Sequence, residues 1–410
     1  MTRSEPLWQW TRCVSRNMPE LSASQARLLA WWSFGIAMTG SCGRCTVATF
    51  LGLLCEMKVA SIEQRLYEWC LDATDKAGER RRELDLGVSQ VSLLRWIVRL
   101  WVGTQMALTL DATNLEDRFV VLAVSVVYRG IGIPVAWAVL PANTKGAWRE
   151  EWWRLLRLLQ PAVPPEWTVI VLADRGLSSS GLYQQIVRLH WHPFLRINST
   201  AKFQPGKKYR WYWLLELLGP AGRPTRQQWQ GYGSCFRDTA SRIDCTLLAW
   251  WGEQYEEPWF VLTDLAPTQC SVTWYGLRSW CEQGFKCNKR GGWQWQLTRM
   301  HHPSRAARLW LALAVATLWT VSVGSDLECG TYLQDPDLPD WRTLLDRTAV
   351  RHPKRTLRLL RLGRLWLLVQ AIAHQRLSVP LMLQPEPWPL PLAKPKRPRA
   401  PRPKTVQAPL

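Results

Sequence analysis

The stretch from Met106 to Leu140 constrains the fold most. It carries three apolar runs in succession, Ala107-Leu-Thr-Leu-Asp-Ala, Phe119-Val-Val-Leu-Ala-Val-Ser-Val-Val-Tyr and Ile133-Pro-Val-Ala-Trp-Ala-Val-Leu, joined by short turns at Asn114 and Gly130. Short apolar runs that are rich in β-branched residues and bounded by turn residues read as buried strands. A helical stretch, Ala147 to Leu159, leads through a Pro-rich turn (Pro161, Pro164, Pro165) into another buried run, Trp167-Thr-Val-Ile-Val-Leu-Ala-Asp. A helix over Gly181 to Leu189 and a strand Pro193-Phe-Leu-Arg-Ile complete the order βββαβαβ. Strands that alternate with helices in this way predict an α/β domain, a mixed sheet flanked by helices.

The flanking regions have other periodicities. Residues 1–95 repeat with helical spacing, as in Gln25-Ala-Arg-Leu-Leu-Ala-Trp-Trp and Ser61-Ile-Glu-Gln-Arg-Leu-Tyr-Glu-Trp-Cys, with a break at Gly40-Ser-Cys-Gly. This predicts an N-terminal helical domain, a DNA-binding candidate that reads equally as a plain helical bundle or as a helix-turn-helix with a weak turn signal. After a first core segment, 105–199, residues 200–267 turn polar and Gly- and Trp-rich, with alternating stretches such as Cys245-Thr-Leu-Leu-Ala-Trp-Trp, and predict a β-rich insertion. Helix returns over 268–330, the second part of the core, and a helical region follows over 331–384. There Arg355, Arg358, Arg361 and Arg364 make a basic stripe that either tracks phosphates or is a solvated helix face. Residues 385–410 are Pro-rich and basic and predict a disordered tail.

The balance of 52 Lys and Arg against 32 Asp and Glu, a formal charge of +20, points to a polyanionic partner, nucleic acid first and an anionic membrane surface second. Leu309 to Val323 falls short of the roughly 20 apolar residues that span a bilayer and reads as a buried core helix. The N-terminus carries Glu5 and no long apolar stretch, so the expectation is a cytoplasmic protein with no membrane partner. Eleven scattered cysteines do not resemble a disulfide scaffold, and Cys42-x-x-Cys45 lacks the further ligands of a zinc site.

Chemistry concentrates in three places. Asp111 and Asp174 each end an apolar run, so adjacent strands would bring the two carboxylates together, although an Asp there also serves as a turn or helix cap. Tyr275, Arg278, Glu282 and Lys289 fall in one helical stretch, and at about 100° per residue all four project within about 60° of one another. Such a face suits a metal-binding Glu282 with Arg278, Lys289 and Tyr275 holding a phosphate, and equally an ion-paired surface helix. Asp117, Glu150, Glu151, Asp244 and Asp264 are rival carboxylates, with Asp264 at a strand end the strongest, and His301-His302 reads as a loop pair.

These residues resemble the DDE transposases of bacterial insertion sequences, in the branch marked by a Y-R-E-K signature and a β-rich insertion. Tyr275-x2-Arg278-x3-Glu282-x6-Lys289 has the signature's spacing, and Leu110-Asp111-Ala112-Thr113 and Leu172-Ala173-Asp174-Arg175-Gly176 look like the two Asp motifs. The resemblance implies an RNase H-like core over about residues 105–320. It implies Asp111, Asp174 and Glu282 as catalytic ligands of two Mg²⁺ ions, with Mn²⁺ as a substitute. Tyr275, Arg278 and Lys289 would contact DNA, and one of Trp250, Trp251 and Trp259 would stack on a flipped base. The implied activity is cleavage of double-stranded DNA at the element's terminal inverted repeats and strand transfer to target DNA, by a homodimer assembled on DNA. An RNase H-like nuclease that never joins DNA, or a catalytically silent transposase-derived DNA-binding protein, are the alternatives.

Overall fold

The computed structural model describes residues 5–77, 82–144, 146, 148–219, 227–252, 255–329, 359–373 and 376–390. Five helices come first: α1 (Glu5–Asn17), α2 (Ala23–Thr39), α3 (Arg44–Cys55), α4 (Val59–Trp69) and α5 (Leu86–Leu100). Local chemistry sets their ends. Ser22 and Gln25 close a capping box at the start of α2, Gly40 in the left-handed region ends it, and Asp85 caps α5 by accepting from Val88 N–H.

The sheet begins with β1 (Gln105–Leu115), β2 (Phe119–Tyr128) and β3 (Ile131–Pro141), an antiparallel meander. α6 (Arg149–Leu159), β4 (Thr168–Ala173), α7 (Ser180–Arg188) and β5 (His192–Arg196) follow, and β4 and β5 add in parallel next to β1. The spatial order β3-β2-β1-β4-β5 makes this an α/β, RNase H-like core, a mixed sheet with helices on its faces. β2 is buried along its whole length, which is why it reads as an unbroken apolar run rather than an alternating one.

Residues beyond β5 do not fold as a separate layer. β6 (Lys202–Gln204), β7 (Tyr212–Trp213), β8 (Gln227–Cys235), β9 (Ile243–Trp251) and β10 (Trp259–Thr263) continue the same sheet in the order β5-β10-β9-β8-β6-β7. β10 docks antiparallel on β5, pairing Val261 with Arg196 and Leu262 with Leu195. Among the described residues one ten-stranded sheet results.

A 3-10 turn over Val272–Ser279 leads into α8 (Trp280–Asn288), and α9 (Pro303–Cys329) crosses the centre of the molecule. α9 is long and apolar enough to cross a membrane, but here its apolar window is wholly buried in the protein. Trp137 donates its indole N–H to the Ala307 carbonyl and Trp10 stacks on Trp319, ring centroids 4.0 Å apart, so sheet and N-terminal helices share α9 as a common core. The helices α1 and α2 thus pack on α9 and share one apolar cluster with the sheet. A C-terminal helix, Leu359–Ile372, lies against α9 at two glycines, Gly324 and Gly363.

Two expectations change. In the basic stripe, Arg355 and Arg358 lie outside the described residues. Arg364 is turned inward, donating to the carbonyls of Ala37 (2.9 Å) and Met38 (3.1 Å) at the end of α2. Those carbonyls lack helical partners, and the guanidinium serves them instead of phosphate. Part of the expected tail is also described. Residues 385–390 are packed, with Trp388 against Trp274 at 4.6 Å, while 391–410 lie outside the described residues.

Candidate active site

β1 and β4 pair in parallel from Gln105 with Thr168 to Leu110 with Ala173, so the next rung sets Asp111 beside Asp174. Asp174 follows the last residue of β4. Asp111, expected at a strand tip, is instead inside β1, which runs on to Leu115 paired with β2 alone. Losing its β4 neighbour at that level opens β1 on one side, and both aspartates are partly exposed there.

Arg278 joins the two carboxylates. Its Nη2 lies 3.5 Å from Asp111 Oδ2 and 3.6 Å from Asp174 Oδ2. Burial works against the guanidinium charge, but Tyr275, Asp111 and Asp174 more than offset this and its pKa is raised. Cys281, which no sequence motif singled out, donates its thiol to Asp111 Oδ2 at 3.0 Å. Burial and then the Asp111 charge push that thiol well up, so it stays a protonated donor.

The four signature residues do not share one helix. Tyr275 and Arg278 lie in the 3-10 turn, Glu282 in the first turn of α8, and Lys289 just past the end of α8 with φ −95° and ψ −135°. Residues three apart eclipse in a 3-10 turn, so Tyr275 and Arg278 still point the same way. Lys289 reaches back to β1, donating to Thr113 Oγ1 (2.8 Å) and the Asn114 carbonyl (2.6 Å), and burial lowers its pKa. Tyr275 is buried, its pKa raised chiefly by that burial, and among the described residues neither its hydroxyl nor Arg278 Nε has a hydrogen-bond partner.

Glu282 is exposed and shares with Asp111 an open cleft of about 590 Å³, walled also by Thr113, Asn114 and Lys286. Asp174 does not line that cleft, and among the described residues no three ligating side chains are gathered tightly enough to hold one ion. Asp111, Asp174 and Arg278 are thus brought together, and Glu282 stands on the same cleft as Asp111. The rival carboxylates have other partners or lie elsewhere. Asp264 faces His192 Nδ1 at 3.0 Å, Asp244 accepts from Ser234 at 2.6 Å, and Glu151 pairs with Arg154 at 2.8 Å. Glu150 and Asp117 do not line the cleft.

The three tryptophans separate by face. Trp250 and Trp259 are cross-strand partners on β9 and β10, with rings 5.1 Å apart, and Trp259 meets the Tyr275 ring at 5.2 Å. Trp251 points to the other face, donating to the Tyr255 carbonyl at 3.2 Å. The β9–β10 connection is tied to the Asp174 turn by Glu257, which accepts from Arg175 at 2.7 Å and Arg196 at 3.3 Å.

Fold and site together define an RNase H-like protein with paired aspartates on adjacent central strands. The chain belongs to the DDE transposase family: the family model described as "Transposase DDE domain" matches residues 114–319, half of its length. The matched span contains Asp174, Tyr275, Arg278, Glu282 and Lys289 and begins just past Asp111. No curated protein matches the chain. A solved structure described as "Cryo-EM structure of piggyBac transposase synaptic complex with hairpin DNA" aligns at 12% identity over 86% of this chain and 84% of that one. Its TM-score of 0.35 is too low to bear on fold or function.

Proposed function

We propose that this protein is a transposase of the Y-R-E-K branch that binds the terminal inverted repeats of an insertion sequence, cleaves DNA there and joins the freed 3′ end to target DNA. The observation that carries the reading is the convergence of Asp111 and Asp174 on a single cation, the Arg278 guanidinium. Two carboxylates that meet on one positive charge are a hard-oxygen donor set of the kind Mg²⁺ takes, one or two protein carboxylates with phosphate oxygens completing the shell. Asp111 and Asp174, with Glu282 from the shared cleft, would hold two Mg²⁺ ions or Mn²⁺ in their place. When bound, the ions would activate the attacking water or 3′-hydroxyl and stabilise the leaving oxygen.

The chain's own residues then bind and orient DNA. Arg278, whose Nη2 faces both aspartates, would meet the phosphate beside the scissile bond, Tyr275 would do so once its enclosed hydroxyl is uncovered, and Lys289 holds the open end of β1 in place. Trp250 and Trp259 lie on the Tyr275 face and suit base stacking better than Trp251 does. Two ends must be cut together, so the working form is a homodimer on DNA, acting in the cytoplasm on the nucleoid, with the N-terminal helices as further DNA contacts and no membrane partner.

The test is a strand-transfer assay with the full chain, paired duplexes carrying the inverted repeats that flank its reading frame, a target plasmid and Mg²⁺. Joined products that vanish in Asp111→Ala, while DNA binding persists, are the expected result. Hydrolysis without joining would instead assign a nuclease, and binding with neither a silent descendant.

A further inference from the structure

Three clefts run into one another along the segment that joins α8 to α9. The first is the Asp111–Glu282 cleft. A second, of about 670 Å³, shares Glu116 and Gln296 with it, and a third, of about 610 Å³, shares Leu297, Thr298, Arg299 and His301 with the second. The far wall of the third is the start of α3 at Gly43 and Arg44.

This segment is held by its backbone and its tryptophans. Trp293 and Trp295 are fully buried, and Trp293 Nε1 donates to Thr317 Oγ1 at 2.8 Å while its carbonyl accepts from Cys42 N–H at 2.8 Å. Arg118, between β1 and β2, donates to the carbonyls of Gln296 (3.2 Å), Thr298 and Met300 (3.3 Å). What the segment leaves outside is cationic. Lys286, Arg290, Arg299, His301 and His302 are exposed, and among the described residues none of their side chains has an ion pair, hydrogen bond or ring contact. The acids on these walls are Asp111 and Glu282 at one end, Glu116, which Arg118 meets at 3.0 Å, and Asp117. At the other end α3 starts without a side-chain cap, which adds free backbone N–H donors.

A row of unpaired cations on a rigid support, open to solvent and starting at the paired-aspartate site, matches an extended polyanion rather than a small ligand. We propose that residues 286–302 form a rail for the phosphate backbone of the DNA strand leaving the Asp111–Asp174 site, guiding it to the start of α3. The rail rests on the transposase reading above.

Salt dependence of binding reports it directly, because each phosphate contact contributes about 0.9 to the slope of log K against log salt. The probe is a linear mixed-sequence duplex DNA, titrated with the full chain. In Lys286→Ala/Arg290→Ala/Arg299→Ala the slope should flatten by about 2 to 3 relative to the natural chain. Arg188→Ala/Arg237→Ala, two exposed arginines outside the three clefts, should leave it unchanged. The same substitutions to Gln serve if the alanine variant does not fold. Tight binding by the natural chain with an unaltered slope in the rail variant overturns the rail and leaves the transposase reading standing. Absence of salt-sensitive binding by the natural chain removes both.

Discussion

Gly284 of α8 lies directly on Gly132 of β3: a methyl group on Gly284 would come within 2.3 Å of the Gly132 carbonyl oxygen. With no side chain between them, helix and sheet approach closely enough for Cys281 to reach Asp111 and for Glu282 to stand on the same cleft. Gly284→Ala must push α8 off the sheet. Overpacking of this kind costs about 1–3 kcal/mol, against a gain of roughly 1 kcal/mol from replacing glycine within a helix. Gly132→Ala meets its nearest atom, Cys281 Cα, only at 3.0 Å and should be milder. Thermal melts of the two variants check the order. A midpoint for Gly284→Ala above that of the natural chain would show that α8 is free to shift.

Arg278 occupies the place between Asp111 and Asp174 that a divalent cation would have to share. Arg278→Met removes the competing charge, so Mg²⁺ or Mn²⁺ should stabilise that variant at concentrations roughly tenfold lower than they stabilise the natural chain, within the usual range of coupling between two ligands. Thermal shift against metal concentration measures this. Cleavage should fall in the same variant because a phosphate contact is gone. An unchanged metal midpoint would mean that the guanidinium and the ions do not meet at this site.

Asp111 and Asp174 were legible in the sequence because each ends an apolar run, and parallel pairing of β1 with β4 does the rest. The signature residues were legible as a set but not as a geometry. The 100° rule presumes one α-helix, and here a 3-10 turn packed on β4, β9 and β10 and the departure of Lys289 to β1 break it, features that depend on distant strands rather than on local spacing. The docking of β10 on β5 was hidden for a related reason, since register between distant strands leaves no periodic trace. An amphipathic pattern places Arg364 on an outward face, toward phosphates or water. Nothing local reveals that the carbonyls of Ala37 and Met38 need a donor.

Trp250 and Trp251 are adjacent in β9 but face opposite ways, which separates stacking from packing. Trp250→Ala should weaken binding to single-stranded or hairpin-ended DNA by about 1–3 kcal/mol, the usual worth of a base–aromatic stack. Trp251→Phe, which keeps a ring and loses only the donation to Tyr255, should leave DNA binding unchanged. Fluorescence anisotropy with a labelled hairpin distinguishes them. Equal losses in the two variants would refute the assignment of faces.

The chain's last described residues bear on the site from behind. Leu383 pairs with the residues flanking Trp101, its carbonyl accepting from Val102 N–H at 2.8 Å, and Gln384 N–H donates to the Tyr128 hydroxyl at 3.0 Å. Further on, Thr273 donates to the carbonyls of Pro389 (3.2 Å) and Leu390 (3.1 Å), and Trp388 packs on Trp274. Thr273 and Trp274 belong to the same 3-10 turn as Tyr275 and Arg278. Trp388→Ala should therefore cost about 1 kcal/mol from the ring pair and loosen that turn. The loosening would lower the cleavage rate more than the DNA affinity, because phosphate attraction is spread over many cations whereas, on the transposase reading, the scissile phosphate would be held by the few side chains of that turn. Single-turnover cleavage compared with equilibrium binding reads the split. A fall in affinity as large as the fall in rate would instead make Trp388 a DNA contact.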